Sequence, residues 1–157
     1  MRLASVLVLP VALGLCSGAA FADPKNETGE TWEHRWPQSR MAEVEPNDDC
    51  PTAQYVAMGD IVDPASITTG DVDFYKIYLL TTDRLTVLLD RATGCFLGID
   101  TLVDIYAYDG TTILFTDDDD GPGLYSYIMG SEWTPPYSGY YCIKVGPYAS
   151  GTGCYKI

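Results

Sequence analysis

Residues 101–117 read TLVDIYAYDGTTILFTD, two runs of β-branched and aromatic residues on either side of Asp109-Gly110. Valine, isoleucine, threonine and tyrosine are enriched in β-strands, and an Asp-Gly pair between two such runs favours a tight hairpin. The stretch therefore predicts two neighbouring antiparallel strands, over 101–109 and 112–117.

Similar runs occur on both sides of this hairpin, at 73–80, 84–90 and 139–146, and each is bounded by turn-forming residues. No stretch has the apolar spacing of an amphipathic helix of useful length. Several strands at about ten-residue spacing are typical of two packed sheets. The sequence predicts an all-β fold over residues 43–157, an antiparallel, jelly-roll-like β-sandwich of about eight strands.

The first 22 residues have the features of a secretory signal peptide. A basic start at Arg2 precedes an apolar run, and Ala20-Phe21-Ala22 fits the small-residue pattern before a cleavage site. The apolar run is short for a membrane span, which needs roughly 20 residues. A lipoprotein anchored at Cys16 is the alternative, although Leu15 stands where a small residue is expected. We expect a secreted protein, extracellular, periplasmic or on the cell surface.

Residues 23–42 are polar and show no strand or helix period, so they are predicted to form a flexible linker. The whole chain has 9 basic and 22 acidic residues, a net charge of −13. Such a chain is repelled by nucleic acid and by anionic lipid, which excludes both as partners. Cations are its natural small ligands.

Four cysteines remain after the signal peptide, at positions 50, 95, 142 and 154. An even number in an exported chain predicts two disulfides, for which three connectivities are possible. The turn-rich stretch GPYASGTG between Cys142 and Cys154 favours a bond across a hairpin. That pairing leaves Cys50 with Cys95.

Nucleophilic catalysis needs a base beside the nucleophile, and the single histidine, His34, lies in the expected linker. Carboxylates are plentiful, but no pair of them stands out as an acid and base. The sequence therefore predicts a protein that is not an enzyme.

The stretch EVEPNDDC, residues 43–50, concentrates oxygen ligands where the linker meets the domain. Alternate residues of an extended segment face the same side, and a second pair of acids stands two apart in GDVDFY at the start of a strand. Calcium takes six to eight oxygens from carboxylates, amides and backbone. The predicted calcium ligands are Glu43, Glu45, Asn47, Asp48, Asp71 and Asp73.

A third acidic stretch, TDDDDGPG at 116–123, does not fit an EF-hand loop, because Tyr127 stands where the bidentate glutamate is required. Two interpretations remain open here. One is a second metal site formed by Asp100, Asp118 and Asp120, and the other is a solvated loop.

Six motifs in order, EPNDDC, GDVDFYKIYL, GIDTLVDIYAYDGTTIL, DDDDG, SGYYCIKV and GTGCYKI, resemble the bacterial pre-peptidase C-terminal domain family. These β-sandwich modules are usually appended to secreted peptidases and include the collagen-binding domains of clostridial collagenases. The resemblance covers residues 43–157 and implies calcium ligands at the same six positions. The collagen-binding members carry two tyrosines, two residues apart, where this chain has Gly146 and Tyr148.

Four aromatic residues close to turns, Trp133, Tyr137, Tyr140 and Tyr148, are the predicted ligand contacts. Tyr106 and Tyr108 share one face of a strand and are interpreted as packing residues. Together the patterns predict a secreted, calcium-stabilised, non-catalytic module that attaches to an extracellular protein or polysaccharide. The alternative is a structural or accessory partner of a secreted peptidase or cell-surface assembly, without ligand affinity of its own.

Overall fold

The structure is a computed structural model that describes residues 39–157. The expected signal peptide and residues 23–38 of the expected linker lie outside the described residues. Arg40–Met41, the end of the segment expected to be flexible, form a short strand.

Residues 39–157 form an all-β structure of eleven strands, most of them short. In chain order the strands are β1 (Arg40–Met41), β2 (Gln54–Tyr55), β3 (Ile61–Val62), β4 (Ala65–Ile67), β5 (Asp73–Leu79), β6 (Val87–Leu88), β7 (Thr101–Ala107), β8 (Ile113–Asp117), β9 (Tyr127–Ile128), β10 (Gly139–Pro147) and β11 (Gly153–Tyr155). The predicted fold class is confirmed. The strand number exceeds the expected eight because the second layer consists of pieces of two or three residues.

One layer is a five-stranded sheet in the order β2-β5-β10-β7-β8. Its long strands pair antiparallel, and β2 joins β5 in parallel at one edge. The predicted hairpin joins β7 to β8, and its turn places Gly110 at a φ of +69°, a region that glycine adopts without strain. The other layer contains the two-stranded pairs β1-β3, β11-β4 and β6-β9.

The hydrophobic core lies between the two layers. One face of the five-stranded sheet supplies alternate residues, such as Tyr75, Ile77 and Leu79 from β5, all buried. Val62 and Ile128 meet them from the second layer. Within residues 39–157 there is no helix with the length and hydropathy needed to span a bilayer.

The opposite face of the five-stranded sheet, here called the outer face, is partly covered by the chain around residues 50–53. Cys50, Ala53, Phe74 and Cys142 form a small buried cluster there. Backbone hydrogen bonds from Phe74 to Asn47 and from Val56 to Lys76 hold this covering segment against β5. Side chains of even-numbered residues in β5 and β10 therefore face outwards.

The predicted disulfide pairing is wrong. The structure joins Cys50 to Cys142 and Cys95 to Cys154, with Cα–Cα distances of 5.8 and 6.0 Å. Cys142 and Cys154 do not face each other across a hairpin, because β10 runs on to Pro147 and the chain then crosses to the other layer. Cys142 faces outwards onto Cys50, whereas Cys154 lies beside Cys95 and the Leu97 backbone.

Candidate metal centre

The predicted calcium ligands come from two segments that lie side by side at the start of β5. The Glu43 backbone N–H donates to the Pro64 carbonyl at 3.2 Å, and Phe74 donates to the Asn47 carbonyl at 2.8 Å. These bonds lay residues 43–48 along the end of the strand that carries Asp73. The segment EVEPNDDC is therefore folded back towards GDVDFY.

The five predicted acidic ligands form two overlapping groups. In the first, one carboxylate oxygen each of Glu43, Glu45 and Asp73 lies within 4.8 Å of the others. In the second, Glu45, Asp48 and Asp71 meet the same limit. Glu45 belongs to both groups, so the five carboxylates form one continuous cluster.

Asn47 lies within this cluster and is completely buried. Its backbone N–H donates to Glu45 Oε2 at 3.0 Å, yet neither Oδ1 nor Nδ2 of its side chain has a hydrogen-bond partner among residues 39–157. A buried amide without partners destabilises a fold by about 1–3 kcal/mol. An amide oxygen is a ligand that calcium accepts, so this side chain fits a cation better than it fits an empty protein interior.

Two buried tyrosines connect the cluster to the core. The Tyr75 and Tyr155 hydroxyls lie 2.7 Å apart, and either can donate to the other. The Tyr75 hydroxyl also lies 3.2 Å from Glu43 Oε1, and the Tyr155 hydroxyl lies 2.5 Å from Asp73 Oδ2. Both carboxylates are thereby held in place, while Asp73 Oδ1 is buried and has no partner among the described residues.

The cluster is electrostatically unfavourable without a cation. Burial raises the pKa of Asp73 far above its usual range, and the neighbouring Glu43 and Asp71 carboxylates raise it further against the opposing Tyr155 hydrogen bond. Burial also raises the pKa of Glu45, with added repulsion from Glu43, Asp71 and Asp48. A divalent cation would remove this repulsion and supply the missing partner of each buried oxygen.

The second acidic loop forms a smaller group. Asp100, Asp118 and Asp119 each place one carboxylate oxygen within 4.8 Å of the others. Asp120, expected in this group, lies instead beside Asp117, because the chain bends at residues 119–120 and alternation along a strand no longer applies. None of the three acids in the group is fully buried.

The predicted ligand-contact aromatics separate into buried and exposed residues. The prediction of Trp133 as a ligand contact is wrong, because its side chain is only 8% exposed. The loop before β10 places its ring edge-on against the Tyr141 ring, with the centroids 5.3 Å apart. Tyr137, Tyr140 and Tyr148 are exposed, and Tyr137 stacks on Tyr141 at 4.9 Å. Three aromatic residues that the sequence did not single out as contacts, Tyr55, Tyr78 and Tyr108, surround Tyr140. Knowledge of the cross-strand register, which pairs Tyr140 with Tyr78, would have pointed to this group of tyrosines.

Among solved structures, the chain is similar to the pre-peptidase C-terminal domain of a collagenase from Bacillus anthracis. The likeness has a TM-score of 0.52 and 15% sequence identity, and it covers 73% of this chain and 96% of that domain. The chain has the fold of a pre-peptidase C-terminal domain. A weaker likeness, with a TM-score of 0.45 and 13% identity, is to a periplasmic inhibitor of g-type lysozyme from Aeromonas hydrophila, over 76% of this chain and 92% of that one. No protein-family model and no curated protein matches the sequence.

Proposed function

We propose that the protein is a secreted, calcium-stabilised, non-catalytic binding module that attaches to an extracellular polymer or protein partner. The observation that carries the calcium part is Asn47, a fully buried side-chain amide that has no hydrogen-bond partner within residues 39–157 and lies inside a cluster of five carboxylates. The two disulfides support an oxidising, extracellular location. The pre-peptidase C-terminal fold supports a module that works beside other proteins.

Glu43, Glu45, Asn47, Asp48, Asp71 and Asp73 would hold the ion. They offer the hard oxygen ligands that calcium takes, and they come from both the N-terminal segment and the start of β5. Bound calcium neutralises these carboxylates and fixes the N-terminal segment to the sandwich. An ion that binds the folded state alone stabilises it by about 2.7 kcal/mol at a hundredfold excess over Kd.

The test is thermal unfolding of the secreted protein in EDTA, in excess calcium and in excess magnesium. We expect a rise in Tm with calcium and a smaller one with magnesium, which demands tighter octahedral geometry. Glu45→Gln should abolish most of the calcium-dependent rise. Glu132→Gln is the matched control, because Glu132 also accepts one backbone N–H within its own turn, from Met129 at 2.7 Å, but lies outside the cluster.

Equal melting temperatures in EDTA and in millimolar calcium would overturn the calcium part of the proposal. A calcium-dependent rise that Glu45→Gln and Glu132→Gln leave alike would place the ion elsewhere. Direct titration calorimetry with calcium chloride would separate these two outcomes, since the first predicts no binding heat and the second an unchanged one.

A further inference from the structure

Four exposed tyrosines converge on the outer face of the five-stranded sheet, at the end where β10 begins. Tyr140 lies at their centre. Its ring centroid is 5.2 Å from that of Tyr78, 5.7 Å from Tyr108 and 6.0 Å from Tyr55. Three of these residues follow from strand register, since Tyr140 pairs with Tyr78 on one side and Tyr141 pairs with Ala107, next to Tyr108, on the other.

These rings remain open to solvent. Their exposed fractions range from 40% for Tyr140 to 62% for Tyr55. None of the four hydroxyls has a hydrogen-bond partner within residues 39–157, in contrast to the tyrosines of the core and metal cluster. Aromatic faces beside free hydroxyls form a surface that can both stack on a ligand and hydrogen-bond to it.

Lys76 lies beneath this surface and gives a second, independent indication of a ligand. The residue is only 3% exposed, and its Nζ lies 4.9 Å from the Tyr55 ring centroid and 5.4 Å from that of Tyr108. In the part of the chain that the structure describes, it makes no ion pair and no side-chain hydrogen bond. The rings stabilise the ammonium in part, and within residues 39–157 no oxygen accepts a hydrogen bond from it. Nζ is not among the fully buried atoms that lack a partner, so its donors can reach solvent or a ligand. We call Lys76 and the four tyrosines the tyrosine platform.

The charge of the surroundings limits what the platform can bind. The whole chain carries a net charge of −13, which repels an anionic polymer. Hydrogen bonds from Thr52 lower the pKa of Asp49, and the positive charge of Lys76 lowers it further. Lys76 therefore has an ionised carboxylate as a neighbour. A neutral ligand with flat apolar faces and many hydroxyl oxygens matches such a surface.

We infer that the tyrosine platform binds a neutral polysaccharide. Pyranose faces would stack on the tyrosine rings, and sugar oxygens would accept hydrogen bonds from Lys76. Sugar hydroxyls would also donate hydrogen bonds to the tyrosine hydroxyls and accept hydrogen bonds from them. This inference rests on the proposed function of a binding module and specifies its surface and the class of its polymer. The platform is distinct from the Gly146 and Tyr148 positions, which lie at the other end of β10.

The experiment measures retention of the full secreted chain by defined polymers. Insoluble cellulose and chitin are used in sedimentation assays, and soluble β-glucan and xyloglucan in affinity electrophoresis. Alginate serves as the anionic polysaccharide and poly-L-proline as the polypeptide. The variants are Tyr140→Ala, Tyr108→Ala and Lys76→Met, each checked for an unchanged Tm. Phe96→Ala, at an exposed aromatic residue that belongs to neither the platform nor the contacts predicted from the sequence, is the control, and Tyr148→Ala tests one of those predicted contacts.

We expect retention by at least one neutral polysaccharide, and roughly a tenfold or greater loss of affinity in Tyr140→Ala and Lys76→Met, as for the central residues of other interfaces. Tyr108→Ala tests the platform from its edge should Tyr140→Ala fail to fold. Phe96→Ala should bind as the parent does, and Tyr148→Ala should lose less affinity than Tyr140→Ala.

Binding lost in Tyr148→Ala but kept in Tyr140→Ala would overturn the platform and leave the binding module intact. Retention by alginate or poly-L-proline alone would overturn the neutral polysaccharide as the ligand. Retention by none of the polymers would overturn this inference, and a calcium-dependent Tm in the same preparation would show that the calcium part of the proposed function still stands.

Discussion

Replacing Asn47 by leucine should remove most of the stabilisation by calcium without lowering stability in EDTA. The side chain is fully buried and makes no hydrogen bond within residues 39–157. Its two backbone hydrogen bonds, to Glu45 and from Phe74, do not depend on the amide. In EDTA, Asn47→Leu removes an unsatisfied polar group, so the free energy of unfolding should stay level or rise by up to about 3 kcal/mol.

In calcium the same substitution would remove one of the proposed ligands. The stabilisation by the ion, about 2.7 kcal/mol at a hundredfold excess over Kd, should largely disappear. For a domain of this size, each kcal/mol corresponds to roughly 3–6 °C in Tm. The variant should therefore melt at or above the parent in EDTA, and its Tm should rise little on addition of calcium while that of the parent rises by roughly 8–16 °C, as measured by calorimetry or circular dichroism.

Tyr141→Phe is the control for Asn47→Leu. Tyr141 is also fully buried, and its hydroxyl donates to the Tyr137 carbonyl at 2.5 Å near the start of β10, whereas Asp73 pairs with Val145 near the end of that strand. Its replacement should lower Tm by the same amount in EDTA and in calcium. An equal loss of stability for Asn47→Leu in both conditions would refute the reasoning, because it would show that the amide is satisfied without an ion.

Three further outcomes follow from the structure. In EDTA, stability should decrease as pH rises above about 4, because the raised folded-state pKa of Asp73 favours its protonated form; Asp73→Asn should flatten that slope in a Tm–pH series. Asp109 has the opposite pH dependence, because hydrogen bonds from Thr112 and Thr111 lower its pKa to about 2. The stability that its carboxylate adds is present above its unfolded pKa and is lost as pH falls towards 2. Asp109→Ala should therefore lower Tm at neutral pH but not at about pH 2. Trp133→Ala should reduce the free energy of unfolding by about 3–5 kcal/mol in urea titrations, whereas Tyr148→Ala should change it by less than about 0.5 kcal/mol; similar values for both would contradict the burial of Trp133.

The long strands were predictable because each is a continuous run with local turn signals. Predicted ranges 73–80 and 139–146 agree with β5 and β10 to within one residue at each end. The second layer was not predictable in the same way. Its strands have two or three residues, too few to establish a period of two, and tertiary packing determines where they pair.

The closeness of the acidic side chains was predictable, because their spacing in an extended segment places them on one side. Disulfide connectivity was not, since it depends on which layer each cysteine enters and which face of its strand it occupies. Which side chains meet, as Tyr75 meets Tyr155 and Tyr140 meets Tyr78, likewise depends on how separate strands lie against each other. Register is a property of two segments at once, so a single run of sequence does not contain it.

The bond between Cys50 and Cys142 also determines how the domain responds to mechanical load. Tension applied on the N-terminal side first reaches β1, with its Arg40–Asp63 ion pair, and then the carboxylates of residues 43–48. Unfolding from this side stops at Cys50, which is covalently attached to the central strand β10. Only about ten residues can therefore be drawn out, an extension of roughly 35 Å. Glu43, Glu45 and Asp48 lie in this segment, whereas Asp71 and Asp73 stay with the sandwich, so an ion bound between them would resist the extension until it dissociates.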